Sequence, residues 1–465
     1  LRDSVFDYFI NEDRYPDLDA DGAVSRLAQA IRCVTVNNGA EKASDGEFLK
    51  LQEIIRTSFP NIMSMGSFEL IGRSVLITIP GSDSSLLPSL YMSHQDVVPV
   101  VRGTENDWRY GAFSGAVEEG CIWGRGTLDI KNMVFGILEA AEYLLSKGET
   151  FRRTAYLAFG DDEETVNFGA LGIAETLERR GVRLEFLLDE GGGVIRSGAP
   201  FGAPETSVSY VDLMEKGYAD LELSVKSAGG HSSRPFGGTS LGKLSAAVAD
   251  VAGSPFPYTL PDPVRASLRT LAPYMTEEPL RSLVSDIDAN ADEIAEFLAG
   301  QPETFPFVTT TIAPTMMEGG SAAANVMPQD MRAVINFRIN QGTTKEEVME
   351  HCRAAVTDPS VELRFLQAND PSMVSRSDGF GFSRLTETAS GFFDGVVFIP
   401  CMTAGATDAC RYENVCDTCL RFSPFMAETA DVESGVHGTN ERIPVRSYLQ
   451  GIRFLIGMME NCNIR

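Results

Sequence analysis

Only four histidines occur in the chain, His94, His231, His351 and His437, and two of them stand in company that suits metal chemistry. In YMSHQDVVP, His94 and Asp96 lie two apart at the end of an apolar run, so in a strand both side chains leave the same face. A carboxylate so placed can accept the second ring N–H of a metal-bound histidine and fix its tautomer; the plainer alternative is a surface histidine at a strand end. In GVHGTNERIPV, His437 is bracketed by glycines, whereas a core histidine more often has apolar neighbours. Three groups of acids complete the set. GRGTLDIKN places Asp129 where a glycine-containing loop enters an amphipathic helix, a position that by itself reads as an N-cap. LAFGDDEETVNFGALG carries Asp161, Asp162, Glu163 and Glu164 directly after an apolar strand; acid runs are ordinarily solvated faces, but this one sits where active sites form in open α/β sheets, beyond the carboxyl end of a strand. FLLDEGGG repeats the placement with Asp189 and Glu190. Two histidines and three carboxylates suffice for two cations sharing one bridging carboxylate. The mixture of imidazole and carboxylate favours zinc and leaves manganese or cobalt open.

The elements that must position these residues are legible as periodicity. SVLITI (74–79), SLYMSH (89–94), TAYLAFG (154–160) and LEFLLDE (184–190) are β-rich runs alternating with helical patterns, which reads as an α/β sheet. Ile130, Met133, Val134, Ile137, Leu138, Ala141, Leu144 and Leu145 recur at helical spacing before Gly148, so one helix face packs on that sheet. From about residue 213 a strand YADLELSV, a helix near 239–252, strands near 307–313 and 331–339, a helix near 344–356 and a strand at 361–366 form a β-α-β-β-α-β unit, most economically a separate small domain. The Pro-rich and then helical stretch 253–305 is inserted in it. After about residue 373 the chain returns to helix, strand and a terminal helix, Val445 to Met459. The expected division is a catalytic domain in two segments, 1–212 and 373–465, with a lid domain at 213–372.

The 465 residues, 43% hydrophobic and 22% charged, describe a globular chain with ample core. Lys plus Arg number 39 against 65 Asp plus Glu, a formal charge of −26 that repels phosphate backbones and anionic lipid surfaces; no nucleic-acid or membrane partner is expected. No run of about 18 apolar residues is present, and the first residues do not read as a signal peptide. Eight cysteines scattered over the chain argue for reduced thiols and a cytoplasmic location; Cys401, Cys410, Cys416 and Cys419 crowd one segment, but Cys401 and Cys410 are too far apart to complete a zinc ribbon. GRGTLD lacks the third glycine of a dinucleotide fingerprint, and GHSSR lacks the glycine of a G-x-S-x-G elbow.

Taken in order, SHQDVVP, GRGTLDIK, DDEE, LLDEGG, GGHSSRP, ANVMPQ and HGTNERIP resemble the zinc metallopeptidase family that includes carboxypeptidase S, aminoacylase, succinyl-diaminopimelate desuccinylase and the carnosine-type dipeptidases. The likeness runs from about residue 24 to residue 460, and WRYGAFSG and NERIPVRSYLQGIRFLIGMMEN look most like the carboxypeptidase S branch. It implies a mixed-sheet di-zinc catalytic domain with an inserted ferredoxin-like α+β lid and dimerisation domain. His94 and Asp189 would hold one zinc, Glu164 and His437 the other, and Asp129 would bridge them. Glu163 would be the general base and Asp96 would orient His94. The resemblance also implies a cis peptide bond after Asp129, a homodimer in which His231 donates to the oxyanion, and a substrate-binding pair, Asn325 and Arg338. The implied substrate is a small peptide or N-acyl amino acid, cleaved beside a free carboxylate by a carboxypeptidase or, alternatively, by a dipeptidase or N-acyl-amino-acid hydrolase. The acidic Asp162 and the TVNFGA that follows DDEE depart from the family pattern and are expected at the mouth of the site.

Overall fold

The computed structural model describes residues 2–37 and 45–464. Its longer strands are, in chain order, β1 (Ser67–Ile71), β2 (Ser74–Ile79), β3 (Ser89–His94), β4 (Ala155–Gly160), β5 (Phe186–Gly192), β6 (Ala203–Glu215), β7 (Gly217–Lys226), β8 (Thr311–Gly319), β9 (Asp330–Ile339), β10 (Glu362–Asn369), β11 (Val396–Thr403) and β12 (Cys419–Ser423). The larger body is a nine-stranded mixed sheet ordered β1-β2-β4-β3-β5-β12-β6-β11, with the short strand Arg196–Gly198 paired to β6. β4, β3, β5 and β12 run parallel, so their carboxyl ends open on the same side. β3 is buried at every position because both faces of the sheet are covered. The pleat sends Tyr91 and Leu188 into one core with Met133 and Ile137, and Leu90 and Leu187 into the opposite core with Ile173 and Ala409.

The spacing of apolar residues between Ile130 and Leu145 yields the helix Lys131–Ser146, and all eight of those side chains are buried. The chain leaves that helix through Gly148 at φ +78°, a left-handed conformation that glycine adopts without a Cβ penalty. The terminal helix Val445–Met459 packs beside it, and Phe425 fills the contact. A Cβ at Gly136 would sit 2.4 Å from the Phe425 ring, and one at Gly451 2.2 Å from it.

The smaller body is a four-stranded sheet ordered β8-β9-β7-β10 with antiparallel neighbours. The helices Ser240–Ala252 and Lys345–Ala355 bury Leu244, Val251, Val348 and Cys352 against Leu221, Leu223, Ile335 and Phe337. This is the ferredoxin-like lid. The strand expected near 307–313 begins only at Thr311, since Phe305–Val308 forms a helical turn. Two further features depart from the expected division of the chain. β6 keeps the chain in the large sheet until Glu215. The helices Asp262–Leu271 and Ala291–Ala299 pack Val264, Leu268, Ile294 and Leu298 on Val208, Met214, Ile399 and Cys401 of β6 and β11, so this stretch belongs by packing to the larger body rather than to the lid. The physical reason is that their apolar stripes need a partner, and the lid's own two helices already cover one face of its sheet.

All eight cysteines are free, and among the described residues no helix is long and apolar enough to cross a membrane. Gly451→Val should destabilise the chain by about 1–3 kcal/mol through overpacking against Phe425, read as a fall in the midpoint of chemical denaturation. An unchanged midpoint would show that the ring yields freely.

Candidate metal centre

The parallel strands bring three of the sequence motifs to one edge. His94 ends β3 directly opposite Gly160, which ends β4 and feeds the acid run. That run divides its labour. Asp161 takes Arg73 Nε at 2.8 Å and the Ser74 hydroxyl at 2.5 Å. Asp162 accepts from the backbone N–H groups of Phe168 and Gly169 at 3.1 and 2.8 Å, so it closes the start of the helix Phe168–Arg179 rather than shaping the mouth of the site. Only Glu163 and Glu164 reach the cleft. Their own backbone N–H groups donate to the Asp96 carboxylate at 3.1 and 3.2 Å.

His94 is buried, and its Nδ1 lies 3.0 Å from the Asp96 backbone carbonyl and 3.4 Å from the Asp96 carboxylate. Because a carbonyl only accepts, Nδ1 carries the proton and Nε2 presents its lone pair to the cleft. There Nε2 lies 3.2 Å from Asp129 Oδ1, 3.3 Å from Glu190 Oε1 and 4.0 Å from Glu163 Oε2. The other oxygen of Asp129 lies 3.0 Å from His437 Nε2, which is 3.3 Å from Glu164 Oε2. One carboxylate thus touches both imidazoles, one oxygen to each.

Asp189 is not part of this cluster. Its side chain lies on the face of the sheet that carries Leu187, Leu90 and Met92, where its carboxylate accepts from Ala409 N at 2.9 Å and Glu190 N at 2.8 Å. The carboxylate that lies 3.3 Å from His94 Nε2 is that of Glu190, at the end of the strand just before Gly191 and Gly192. The resemblance implies Asp189 as a ligand, and the structure sets its neighbour Glu190 beside His94; residue type alone cannot tell the two acids apart.

The loop that presents Asp129 rests on a residue that had no assigned role. Glu441 is fully buried. Its Oε1 accepts from the backbone N–H groups of Gly126, Leu128 and Asp129 at 3.0, 2.8 and 3.2 Å, and its Oε2 from Arg125 at 2.6 Å. Arg125 also donates to the carbonyl of His437 at 3.2 Å, tying the two ligand-bearing loops together. A signal was present in the sequence, since Glu441 follows His437 in the HGTNERIP motif, but the acceptor geometry that gives it a role is tertiary. The Asp129–Ile130 peptide bond is cis. His437 has φ +57°, a left-handed conformation uncommon for a non-glycine residue.

Electrostatically the cluster lacks positive charge. Burial pushes Glu190 up to about 7 and lifts Glu163 well above the usual carboxylate range, where Glu190, Asp408 and Glu164 add to the effect and His94 opposes it. For Asp129 burial acts in the same direction, but the adjacent imidazoles of His437 and His94 prevail and hold it far below that range. Those to Asp129 and Glu164 raise His437 to about 10. His94 Nε2 and Glu164 Oε1 are buried without a hydrogen-bond partner, and buried orphans of this kind are costly unless something else satisfies them. The atoms of His94, Asp129 and Glu190 lie within 4.8 Å of one another, as do those of Asp129, Glu164 and His437. Imidazole nitrogen with carboxylate oxygen, an excess of negative charge and unpartnered ligand atoms aimed inward fit divalent cations.

The cleft is a cavity of about 770 Å³ whose far wall comes from the lid, with Tyr218, Arg338 and Asn369 among its lining. The Arg338 guanidinium lies over the Tyr218 ring, 4.8 Å from its centroid, and Nη1 donates to the Ala404 carbonyl at 3.1 Å. His231 and Asn325 do not line this cavity. Both are exposed on a small ribbon in which Gly230–His231 pairs with Val326–Met327, and Ser232 N donates to the Asn325 carbonyl at 2.9 Å.

Fold and site together define a metal-dependent hydrolase with a lid over its cleft. The chain belongs to Peptidase family M20/M25/M40, whose model matches residues 90–461. It is 35% identical over 445 residues to the Mus musculus N-fatty-acyl-amino acid synthase/hydrolase PM20D1, covering 94% of this chain and 87% of that one. It is 28% identical over 496 residues to Saccharomyces cerevisiae carboxypeptidase S, with 95% and 84% covered. Among solved structures it resembles the M20 family metallo-carboxypeptidase Sso-CP2 from Sulfolobus solfataricus, with a TM-score of 0.70 at 17% identity over 94% of this chain and 98% of that one. Human carnosine dipeptidase 1 matches with a TM-score of 0.63 at 14% identity over 97% and 98%. At these identities the two structures speak for the fold alone.

Glu441→Gln should weaken divalent-metal affinity about 10- to 100-fold, as loss of a group supporting a metal ligand typically does, measured by chelator competition. Wild-type affinity would mean that the Asp129 loop holds itself.

Proposed function

We propose that the chain hydrolyses the amide bond joining an acyl or peptidyl group to an amino acid with a free carboxylate, acting as a carboxypeptidase. The observation that carries this reading is the position of Asp129, one oxygen on each imidazole, with Glu163 beside it. His94, Asp129 and Glu190 would hold one ion and His437, Asp129 and Glu164 the other, and the donor set favours two zinc ions. The chemistry that such a pair supplies when bound is polarisation of the scissile carbonyl and a water whose pKa falls to about 7.

The protein's own groups do the rest. Glu163 takes a proton from the attacking water as its oxygen bonds to the carbonyl carbon, then delivers that proton to the nitrogen as the C–N bond breaks. A carboxyl group whose proton affinity burial has raised is suited to both halves of that transfer. Asp96 holds the backbone of Glu163 and Glu164 and, through its carbonyl, the tautomer of His94. Arg338 faces the cleft from the lid with a planar fork that matches a terminal carboxylate. The gathering of Glu163 with two groups of imidazole and carboxylate donors disfavours a catalytically silent binding protein.

A second reading, an N-acyl-amino-acid hydrolase, draws support from the identity to the fatty-acyl-amino acid synthase/hydrolase. We further propose a homodimer in which the ribbon bearing His231 and Asn325 meets a second copy, His231 then donating to the oxyanion in the partner's cleft. The exposure of that ribbon, and of Met316 and Met317 on the edge strand β8, supports it; a monomeric mass by light scattering would exclude it. The free state of all eight cysteines supports a reducing compartment.

Glu163→Gln should keep its metal content by elemental analysis yet lose about 10²- to 10⁴-fold in kcat; unchanged kcat would refute the assignment. A panel of dipeptides, longer peptides and N-acyl amino acids, each with a terminal carboxylate or carboxamide, separates the two readings. Loss of turnover is expected with every carboxamide.

A further inference from the structure

A second cavity, of about 870 Å³, adjoins the metal cleft. Thr403 lines both, and of two consecutive residues Gly191 lines the cleft while Gly192 lines the second cavity. Val194, Ile195, Pro200 and Met402 give it apolar walls. Tyr210 and Phe307 add an edge-to-face aromatic pair, with ring centroids 6.1 Å apart.

An anion is set into these walls. Asp212 lines the cavity at 5% exposure, and its Oδ1 is buried without a hydrogen-bond partner. Its strand neighbour Arg421, paired with it in register, turns its guanidinium to Glu215 at 2.6 Å instead. The other charged lining residues are Glu303, Arg196 and Glu433, and the last two already pair with each other at 3.0 Å. Burial pushes Asp212 up to about 7, with Glu215 adding to the effect and the charges of Arg421 and Arg196 only partly opposing it.

We infer that this cavity is a subsite for an ammonium group carried on an apolar body, with Asp212 as its counter-ion. The walls accept the hydrocarbon, the Asp212 oxygen gains the hydrogen bond it lacks, and the faces of Tyr210 and Phe307 favour a cation over a neutral group. A purely hydrocarbon acyl chain would leave a buried carboxylate unpaired, which disfavours it. Resting on the amide-hydrolase reading, the inference also assigns the substrate. With the carboxylate end facing Arg338 in the metal cleft, the acyl side extends into the second cavity, so substrates carrying an ammonium there are preferred to fatty-acyl ones.

Two measurements on the full chain test this. In calorimetry, n-hexylammonium should bind saturably to the wild type and about tenfold or more weakly to Asp212→Asn, while the neutral hexan-1-ol should not bind. Equal binding of hexan-1-ol, or hexylammonium binding indifferent to Asp212→Asn, would overturn the subsite. In turnover, 6-aminohexanoyl-leucine and hexanoyl-leucine differ only at the terminal group. The wild type should favour the amine in kcat/KM, and Asp212→Asn should abolish that preference. A wild-type preference for hexanoyl-leucine, or a preference that survives the substitution, would refute the assignment. Hydrolysis of neither compound would count against the amide-hydrolase reading, and the calorimetry would still decide the subsite.

Discussion

Three backbone N–H groups, those of Gly126, Leu128 and Asp129, converge on one carboxylate oxygen of Glu441, and the placement of the central ligand depends on that clamp. A loop that must aim a carboxylate at two imidazoles at once cannot be left to the conformational freedom of its glycines. Glu441 removes that freedom from a position near the far end of the chain. Arg125 neutralises the clamp and reaches the carbonyl of His437, so the two loops are held in one network. The exposed His437, at its left-handed backbone position, is anchored by the same residues that anchor Asp129.

Around this clamp, neighbouring residues of one type take different tasks according to direction. Asp161 holds the side chains of Arg73 and Ser74, Asp162 caps a helix start, and Glu163 and Glu164 enter the cleft, held by hydrogen bonds from their own N–H groups to Asp96. Asp189 accepts from backbone N–H groups while Glu190 stands beside His94. The cleft concentrates negative charge that the protein itself leaves undercompensated, which is the electrostatic condition for divalent cations. The neighbouring cavity shows the same condition on a smaller scale at Asp212.

The lid contributes by placement rather than by ligands. Its strand β9 carries Arg338 over the cleft, while the ribbon with His231 and Asn325 points away from it. The helical stretch after residue 262 packs on β6 and β11 of the larger body and supplies Phe307 to the second cavity. One insertion therefore builds both a roof for the metal centre and a wall for its neighbour.

The sequence by itself determined the α/β sheet, the helix Lys131–Ser146 and the separate β-α-β-β-α-β unit, because apolar periodicity records them, while the ferredoxin-like form of that unit was implied by the resemblance of the ordered motifs to a known family. His94, Asp129, Glu164 and His437 stand in the motifs that carry that resemblance, and the structure brings them to one cleft. Tertiary structure alone decided which acid of FLLDEGGG stands beside His94, since Asp189 is taken up by the backbone N–H groups of Ala409 and Glu190 while the Glu190 carboxylate lies 3.3 Å from His94 Nε2. It alone revealed the role of Glu441 and the lack of a partner at Asp212, because hydrogen bonds between residues hundreds of positions apart, or their absence, leave no periodic trace along the chain.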